Sequence, residues 1–253
     1  MRTHRSTIAA LAVALVVGGC TASEQNAQPE ATPPIPTFQE TSSGYSVDID
    51  PQGFVKIIDN PYMPLTPGST WRLEGKSADG REVDTITVLD DTREVMGVTT
   101  TIVKDVVKLR GQGMLEKTWD WFAQDLRGNV WYFGEDTAEY ENGKIVSRAG
   151  AWEAGVDGAL PGIVMPADPV PNDATRQEFY GGEAEDLGWV VQTRLSREVP
   201  AGSYDDVIRV LEWSPLEPRI VVEKLYAPGV GILSEHALSG GLENFQLIEY
   251  SSG

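Results

Sequence analysis

Acidic and aromatic residues are concentrated in one part of this 253-residue chain. Nine acidic but only four basic residues lie within 116–157, and eight of the chain's 21 aromatic residues lie within 119–152. Carboxylates accept hydrogen bonds and can transfer protons, and aromatic rings provide flat apolar surfaces for a bound ring. The candidate ligand-binding residues are therefore Trp119, Asp120, Trp121, Trp131, Glu135, Trp152, Glu153 and Asp157.

Two functions use such residues. The first is a non-enzymatic binding protein for a small saccharide or lipidic ligand, or for a partner protein. The alternative is a hydrolase of envelope glycans, which needs two carboxyl groups about 5–5.5 or 6.5–9.5 Å apart. Its pair would come from Asp120, Glu135, Glu153 and Asp157. Because no catalytic motif marks any such pair, we favour binding. The aromatic residues could also serve only to pack the structure, with the acids at its rim.

Strand alternation assigns these side chains to faces. In 114–122, Asp120 shares one face with Glu116, and Trp119 and Trp121 lie on the other. In the next strand, alternation places Glu135 with Trp131, on the face opposite Tyr132. Large aromatic residues on both faces predict that neither face is simply solvated.

Several other chemistries are excluded by composition. The chain has two histidines, His4 and His236, and one cysteine, Cys20, so a metal site of several His and Cys ligands is not expected. No Gly-x-Ser-x-Gly motif presents a serine nucleophile, and no glycine-rich phosphate-binding motif is present. We expect no cofactor, with calcium as the weak exception.

The calcium interpretation depends on residues 48–59. Asp48, Asp50, Gly53 and Asp59 occupy positions 1, 3, 6 and 12 of an EF-hand-like loop. Positions 5 and 9 are Gln and Lys, and position 12 lacks the longer Glu side chain. An Asp-Pro turn that enters a strand accounts better for this pattern.

The N-terminus has the features of an export signal. Residues 1–19 combine a basic start with a ten-residue apolar core, which is too short to span a bilayer. The sequence Val-Gly-Gly before Cys20 is typical of a lipoprotein signal, which predicts that diacylglycerol and acyl chains are attached to Cys20. We expect an exported protein that is anchored to the membrane by lipid, with its domain on the extracytoplasmic side.

Composition also predicts the domain organisation. Residues 20–44 are rich in proline and polar residues and predict a disordered tether. Residues 45–253 predict a single β-rich domain. The net charge of −18 repels phosphate backbones, so nucleic acid is not an expected partner.

Short alternating segments between tight turns predict a mainly β fold. Turn signals such as Asn142-Gly143 separate these segments, and no sustained helical period is found. We predict an antiparallel meander that forms a curved sheet, a half barrel or a closed barrel. The Gly/Pro-rich segment 150–170 breaks the alternation, and we interpret it as an ordered cover over a barrel mouth or a sheet face.

Several motifs resemble those of a widespread group of secreted and lipid-anchored bacterial proteins whose function is uncharacterised. They are DNPYMPLTPGSTW (59–71), DWFAQDLRGNVWYFGED (120–136), WEAGVDGALPGIVMPA (152–167) and YAPGVGIL (226–233). The last motif is also similar to the final strands of envelope proteins whose open, curved sheets hold apolar ligands. The resemblance implies an exported protein but assigns no role to any residue.

Overall fold

The structure, a computed structural model, describes residues 44–253. The predicted signal, the lipidation site Cys20 and all of the predicted tether except Gly44 lie outside these residues. Within 44–253, no helix is long and apolar enough to cross a membrane. A single turn of 3-10 helix, Pro51–Gly53, is capped by Asp50 and leads into a strand, as expected for an Asp-Pro turn.

All other regular structure in the described residues is β-strand. The strands are β1 (Phe54–Val55), β2 (Thr70–Ser77), β3 (Gly80–Val95), β4 (Val98–Leu109), β5 (Gly113–Asp125), β6 (Val130–Glu141), β7 (Lys144–Ser147), β8 (Trp152–Glu153), β9 (Leu160–Met165), β10 (Ala174–Arg176), β11 (Glu178–Phe179), β12 (Leu187–Val199), β13 (Gly202–Trp213), β14 (Val221–Ala227), β15 (Gly231–Ser239) and β16 (Asn244–Ser251).

The strands form one curved antiparallel sheet. Their order is β10-β12-β13-β14-β15-β16-β2-β3-β4-β5-β6-β9-β11, and β1, β7 and β8 add to β5 and β6. Sequential neighbours pair along most of this order because tight turns join them, as Met96-Gly97 joins β3 to β4, and the predicted Asn142-Gly143 turn joins β6 to β7. The predicted mainly β, antiparallel fold is confirmed.

The sheet curls into a nearly closed barrel. Its order begins with β10 and ends with β11, and these two strands are separated in the chain by Gln177 alone. The same stretch, 174–179, therefore pairs with β12 at one end of the order and with β9 at the other. Gly162 allows β9 to approach this stretch, because a Cβ atom there would lie 2.3 Å from the Arg176 carbonyl oxygen.

Residues 58–65 plug one end of the barrel, and we call this segment the plug. The buried Asn60 fixes it, because its Nδ2 group donates to the carbonyl oxygens of Gly128 and Pro166, each at 2.9 Å. Gln124 Oε1 accepts from the backbone N–H of Asn60 at 2.8 Å. The plug thus joins the β5–β6 turn to the end of β9, and Leu65 at its end packs into the interior core.

The segment 150–170 is ordered, as predicted, but its parts differ in role. Residues 160–165 are strand β9 and belong to the barrel wall. Residues 152–153 form strand β8, which pairs with β6, and Trp152, Ala154 and Ala159 belong to a second apolar cluster with Trp121 on the outer side of the sheet. Both faces of this part of the sheet are therefore covered.

Candidate functional site

A cavity of about 250 Å³ lies inside the barrel above the plug. Met63 and Leu65 of the plug contribute to its floor, together with Trp71 and Phe122 of the wall. Each of these side chains is apolar or aromatic over most of its surface. The plug end of the cavity is consequently its apolar end.

The cavity walls above this floor are acidic. Nine acidic residues line the cavity: Asp84, Asp105, Glu116, Asp120, Glu135, Glu178, Asp186, Glu212 and Glu235. Among the described residues that line it, Lys224 is the one basic side chain. Strand alternation produces this arrangement, because residues two apart on a strand point to the same side. Asp84 thus lines the cavity with Ile86 on β3, and Asp105 lines it with Val103 on β4.

Asp120 and Glu135 lie directly opposite each other on β5 and β6. The predicted face of Asp120 is confirmed, but the predicted face of Glu135 is wrong. Between the Phe122–Tyr132 and Asp120–Glu135 pairs, β6 contains one extra residue, a β-bulge. Strict alternation fails at this bulge, so Tyr132 and Glu135 both face the cavity.

Burial changes the titration of this opposed pair. Burial and the nearby Asp105 raise the pKa of Asp120 to about 7, although the Tyr132 hydroxyl opposes the shift by donating to Asp120 Oδ1 at 2.7 Å. Burial, with Asp120 and Glu178 nearby, holds the pKa of Glu135 well above its usual range. The cavity therefore favours neutral carboxyl groups at this position until a positive charge or further hydrogen-bond donors are supplied.

Asp84 and Asp105 form a second pair. Burial and then the charge of Asp105 raise the pKa of Asp84 well above its usual value. Burial also raises the pKa of Asp105, against a hydrogen bond from the Asp84 carboxyl. Such a bond needs a proton on one of the two groups. No N–H group or hydroxyl in the described part of the chain donates to the buried Oδ1 atom of either residue.

Lys224 on β14 neutralises part of the acidic lining contributed by the neighbouring strands β13 and β15. Its Nζ atom lies 2.7 Å from Glu212 Oε2 and 3.8 Å from Glu235 Oε2. Burial lowers the pKa of Lys224, but these two carboxylates together raise it well above its usual value. Burial raises the pKa of Glu235 to about 7 despite Lys224, and Gln177 donates to Glu212 at 2.9 Å. The ammonium group of Lys224 is thus already engaged.

Glu178 and Asp186 complete the acidic lining near residues 174–179, where the barrel closes. Trp152 Nε1 donates to Glu178 Oε2 at 2.9 Å from outside the cavity. Burial and the charge of Asp186 raise the pKa of Glu178 well above its usual range. Burial likewise raises the pKa of Asp186 to about 6, with Ser214 opposing the shift.

Of the eight predicted ligand-binding residues, two line this cavity, namely Asp120 and Glu135. Trp152 does not line the cavity but contacts two residues that do, because its Nε1 donates to Glu178 and its ring packs edge-to-face with Tyr132. Trp131 donates its Nε1 hydrogen to Asp125 at 3.0 Å and packs in the outer cluster.

The remaining four lie on the outer side of β4–β6 or in a turn. The guanidinium group of Arg93 lies 4.1 Å from the centre of the Trp121 ring and also pairs with Glu153 at 2.5 Å. Lys117 Nζ covers the Trp119 ring at 4.0 Å. Asp157 is exposed in the turn before β9, and Glu153 pairs with arginine rather than acting with Asp157.

Seven of the nine cavity acids, together with Lys224, were not predicted as site residues. A signal for them exists in the sequence, because Asp84 and Asp105 each occupy a position on the apolar face of an alternating strand. Lys224 and Glu235 are similarly placed on β14 and β15, where they are directly paired. A charged residue in such a position must be paired, protonated or bound to a ligand.

Within residues 44–253, no group of three His, Cys, Asp or Glu side chains is arranged to hold a metal ion.

No protein-family model matches the sequence. The search of curated proteins gives no match. Among solved structures, this chain is similar to the crystal structure of a "putative lipoprotein" from Parabacteroides distasonis, with 14% identity and a TM-score of 0.36. The similarity covers 76% of this chain and 99% of the other.

Proposed function

We propose that this protein is a non-enzymatic binding protein that holds a small polar ligand inside its barrel. The observation that carries the proposal is the cavity of about 250 Å³ with nine acidic residues above an apolar floor. Ligand sites for drug-sized molecules typically measure about 300–1,000 Å³, so this cavity fits a smaller molecule.

The lining favours a ligand rich in hydrogen-bond donors. An acyl chain would leave the buried carboxyls of Asp84, Asp105 and Glu135 without new partners, which is energetically costly. A saccharide or an amine donates hydrogen bonds, and the rings of Trp71 and Phe122 offer apolar surface to its carbon skeleton. Of the two ligand classes predicted from the sequence, the saccharide class therefore fits better than the lipidic class.

Fluorescence can test whether the cavity is the binding site. Trp71 lines the cavity, whereas Trp119 lies on the outer side under Lys117. A panel of monosaccharides and amino sugars should include a compound that quenches tryptophan emission in the wild type. The ligand-dependent quenching should shrink in Trp71→Phe and persist in Trp119→Phe. Equal loss in both variants, or no response to the whole panel, would contradict the proposal.

The setting is proposed from the sequence. The mature protein begins at Cys20, carries lipid on this residue and holds its domain on the extracytoplasmic side of the membrane. The Val-Gly-Gly-Cys sequence supports this proposal. Labelled palmitate should be incorporated into the wild type and not into Cys20→Ala, and that variant should leave the membrane fraction.

A second candidate function is hydrolysis of a small glycan. The direct opposition of Asp120 and Glu135 favours it, since opposed residues have Cβ atoms about 4.5–5.5 Å apart and retaining glycosidases need two close carboxyls. An enzyme of this kind would release reducing sugar, and both Asp120→Asn and Glu135→Gln would stop turnover. Unchanged glycosides after prolonged incubation would exclude it.

A further inference from the structure

We infer that the ligand of the barrel cavity carries at least one primary ammonium group, as in an amino sugar or a short diamine. This inference rests on the proposed binding function and names the chemistry that the cavity selects.

The charge balance of the lining favours an ammonium group. Lys224 is surrounded by Glu212 and Glu235, so its positive charge is already used. Burial raises the pKa of Asp105 and of Asp120 more than the distant Lys224 lowers it, and in the described structure Lys224 forms no ion pair with either acid. An ammonium group placed there supplies both the missing charge and three hydrogen-bond donors. A neutral sugar supplies only the donors.

The buried Oδ1 atoms of Asp84 and Asp105 also favour a bound donor. Both residues line the cavity, and neither Oδ1 atom receives a hydrogen bond in the described structure. Native proteins rarely leave buried polar atoms unpaired, so each such atom needs an explanation. A bound donor that enters between the two carboxyls provides one, because it replaces the shared proton with charge-assisted hydrogen bonds.

The aromatic and apolar end of the cavity suits the carbon skeleton of an organic amine. The rings of Trp71, Phe122, Tyr132 and Tyr226 line it, with Met63 beneath. Aromatic faces attract organic cations by a cation–π interaction and also contact the carbon skeleton to which the amine is attached. A bare metal ion would make no use of this surface or of a cavity of about 250 Å³. The lining as a whole therefore fits an organic ammonium compound.

Matched probes test this inference. Calorimetry on the protein from residue 20 onward, with Cys20→Ala, compares glucosamine with glucose and 1,4-diaminobutane with 1,4-butanediol at pH 8. In at least one pair, we expect the amine to bind about tenfold or more tightly than the hydroxyl compound, as for hydrogen bonds to charged groups. If glucose and the diol each bind as tightly as the corresponding amine, or if calcium binds more tightly than both amines, the inference is overturned although the binding function stands. If neither amine binds, the inference is also overturned. If the protein in addition binds no member of the wider monosaccharide panel, the binding function is refuted as well.

Variants provide the site control. Asp105→Asn should weaken amine binding about tenfold and leave the affinity for the neutral partner nearly unchanged. Asp120→Asn is the second variant, for use if Asp105→Asn does not fold. Asp157→Asn changes an exposed acid outside the cavity and has the same effect on net charge. Equal weakening by Asp157→Asn would show that long-range attraction, not the cavity, selects the amine.

Discussion

Asn60 shows how a single residue positions the floor of the cavity. Its side chain donates to Gly128 and Pro166 and accepts from the backbone N–H of Tyr62, each at 2.9 Å. Asn60 is 2% exposed, so water cannot replace these partners. One amide group thus ties the plug to the β5–β6 turn and to the end of β9, in addition to the hydrogen bonds that Gln124 and Tyr62 make.

Replacing Asn60 should be costly. Asn60→Ala removes the side-chain partner of two carbonyl oxygens and one N–H group, all partly buried, and we expect the free energy of unfolding to fall by about 3 kcal/mol. Asn244→Ala, at an exposed position of β16, should change it by less than about 0.5 kcal/mol. Chemical denaturation of both variants measures the difference, and similar values for the two would contradict this role of Asn60.

At the residue scale, the sequence predicted part of the site. Asp120 and Glu135 were selected because aromatic residues surround them in the sequence, whereas Asp84 and Asp105 lie on strands without such neighbours. Selection by local aromatic density also included Trp121 and Glu153, which pack outside the barrel with Arg93. Local density cannot distinguish the two faces of a sheet that is covered on both sides.

The β-bulge in β6 is the element on which the opposed pair depends. Gly134 has a φ of +129°, and a Cβ atom there would lie 2.3 Å from the Trp152 carbonyl oxygen. A side chain at this position would therefore push β8 away and strain the backbone. Sequence alternation predicted the wrong face for Glu135 because nothing in a two-residue period marks an inserted residue.

Gly134→Ala should destabilise the protein much more than an ordinary glycine replacement. We expect a loss of about 3 kcal/mol in the free energy of unfolding from the clash and the strained φ. Gly143→Ala also has a positive φ, of 72°, but has no atom within 4 Å of the new Cβ, and it should cost about 1 kcal/mol. Denaturation curves measure both losses, and the bulge argument is wrong if Gly134→Ala costs no more than Gly143→Ala.

At the scale of the whole molecule, the fold was predictable but the closure was not. Alternation and turn signals indicated an antiparallel meander that curves. Residues 174–179 close the barrel by pairing with β12 through three residues and with β9 through two. Pairings this short leave no alternating pattern in the sequence. The same limit applies to 160–165, whose Gly and Pro residues concealed a strand of the wall.

The acidic interior makes stability depend on pH. Asp120 and Glu235 have ordinary pKa values of 3.8 and 4.5 but values of about 7 in the folded protein. Between about pH 4 and pH 7 the folded state therefore binds more protons than the unfolded chain, so the free energy of unfolding falls as pH rises through this window. The ligand-free protein should melt several degrees higher at pH 5 than at pH 8.

The same melting curves include their own control. Asp120→Asn removes one of the responsible groups and should reduce the difference in melting temperature between pH 5 and pH 8. Asp157→Asn, which changes an exposed acid, should leave the difference as in the wild type. A wild-type melting temperature that rises from pH 5 to pH 8 would show that other groups control the stability.

The position of the plug in the chain has a mechanical consequence. A pulling force on the N-terminal side of the domain first meets Tyr45, which donates to the carbonyl oxygen of Pro161, and then reaches β1 and the plug before β2. β1 is held by two residue pairs with β5, whereas β2 has eight with β3 alone. Tension along the chain should therefore load β1 and the plug before it loads the longer pairing of β2 in the wall. Under the proposed function, withdrawal of the plug would open the floor of the binding cavity while the wall strands stayed paired.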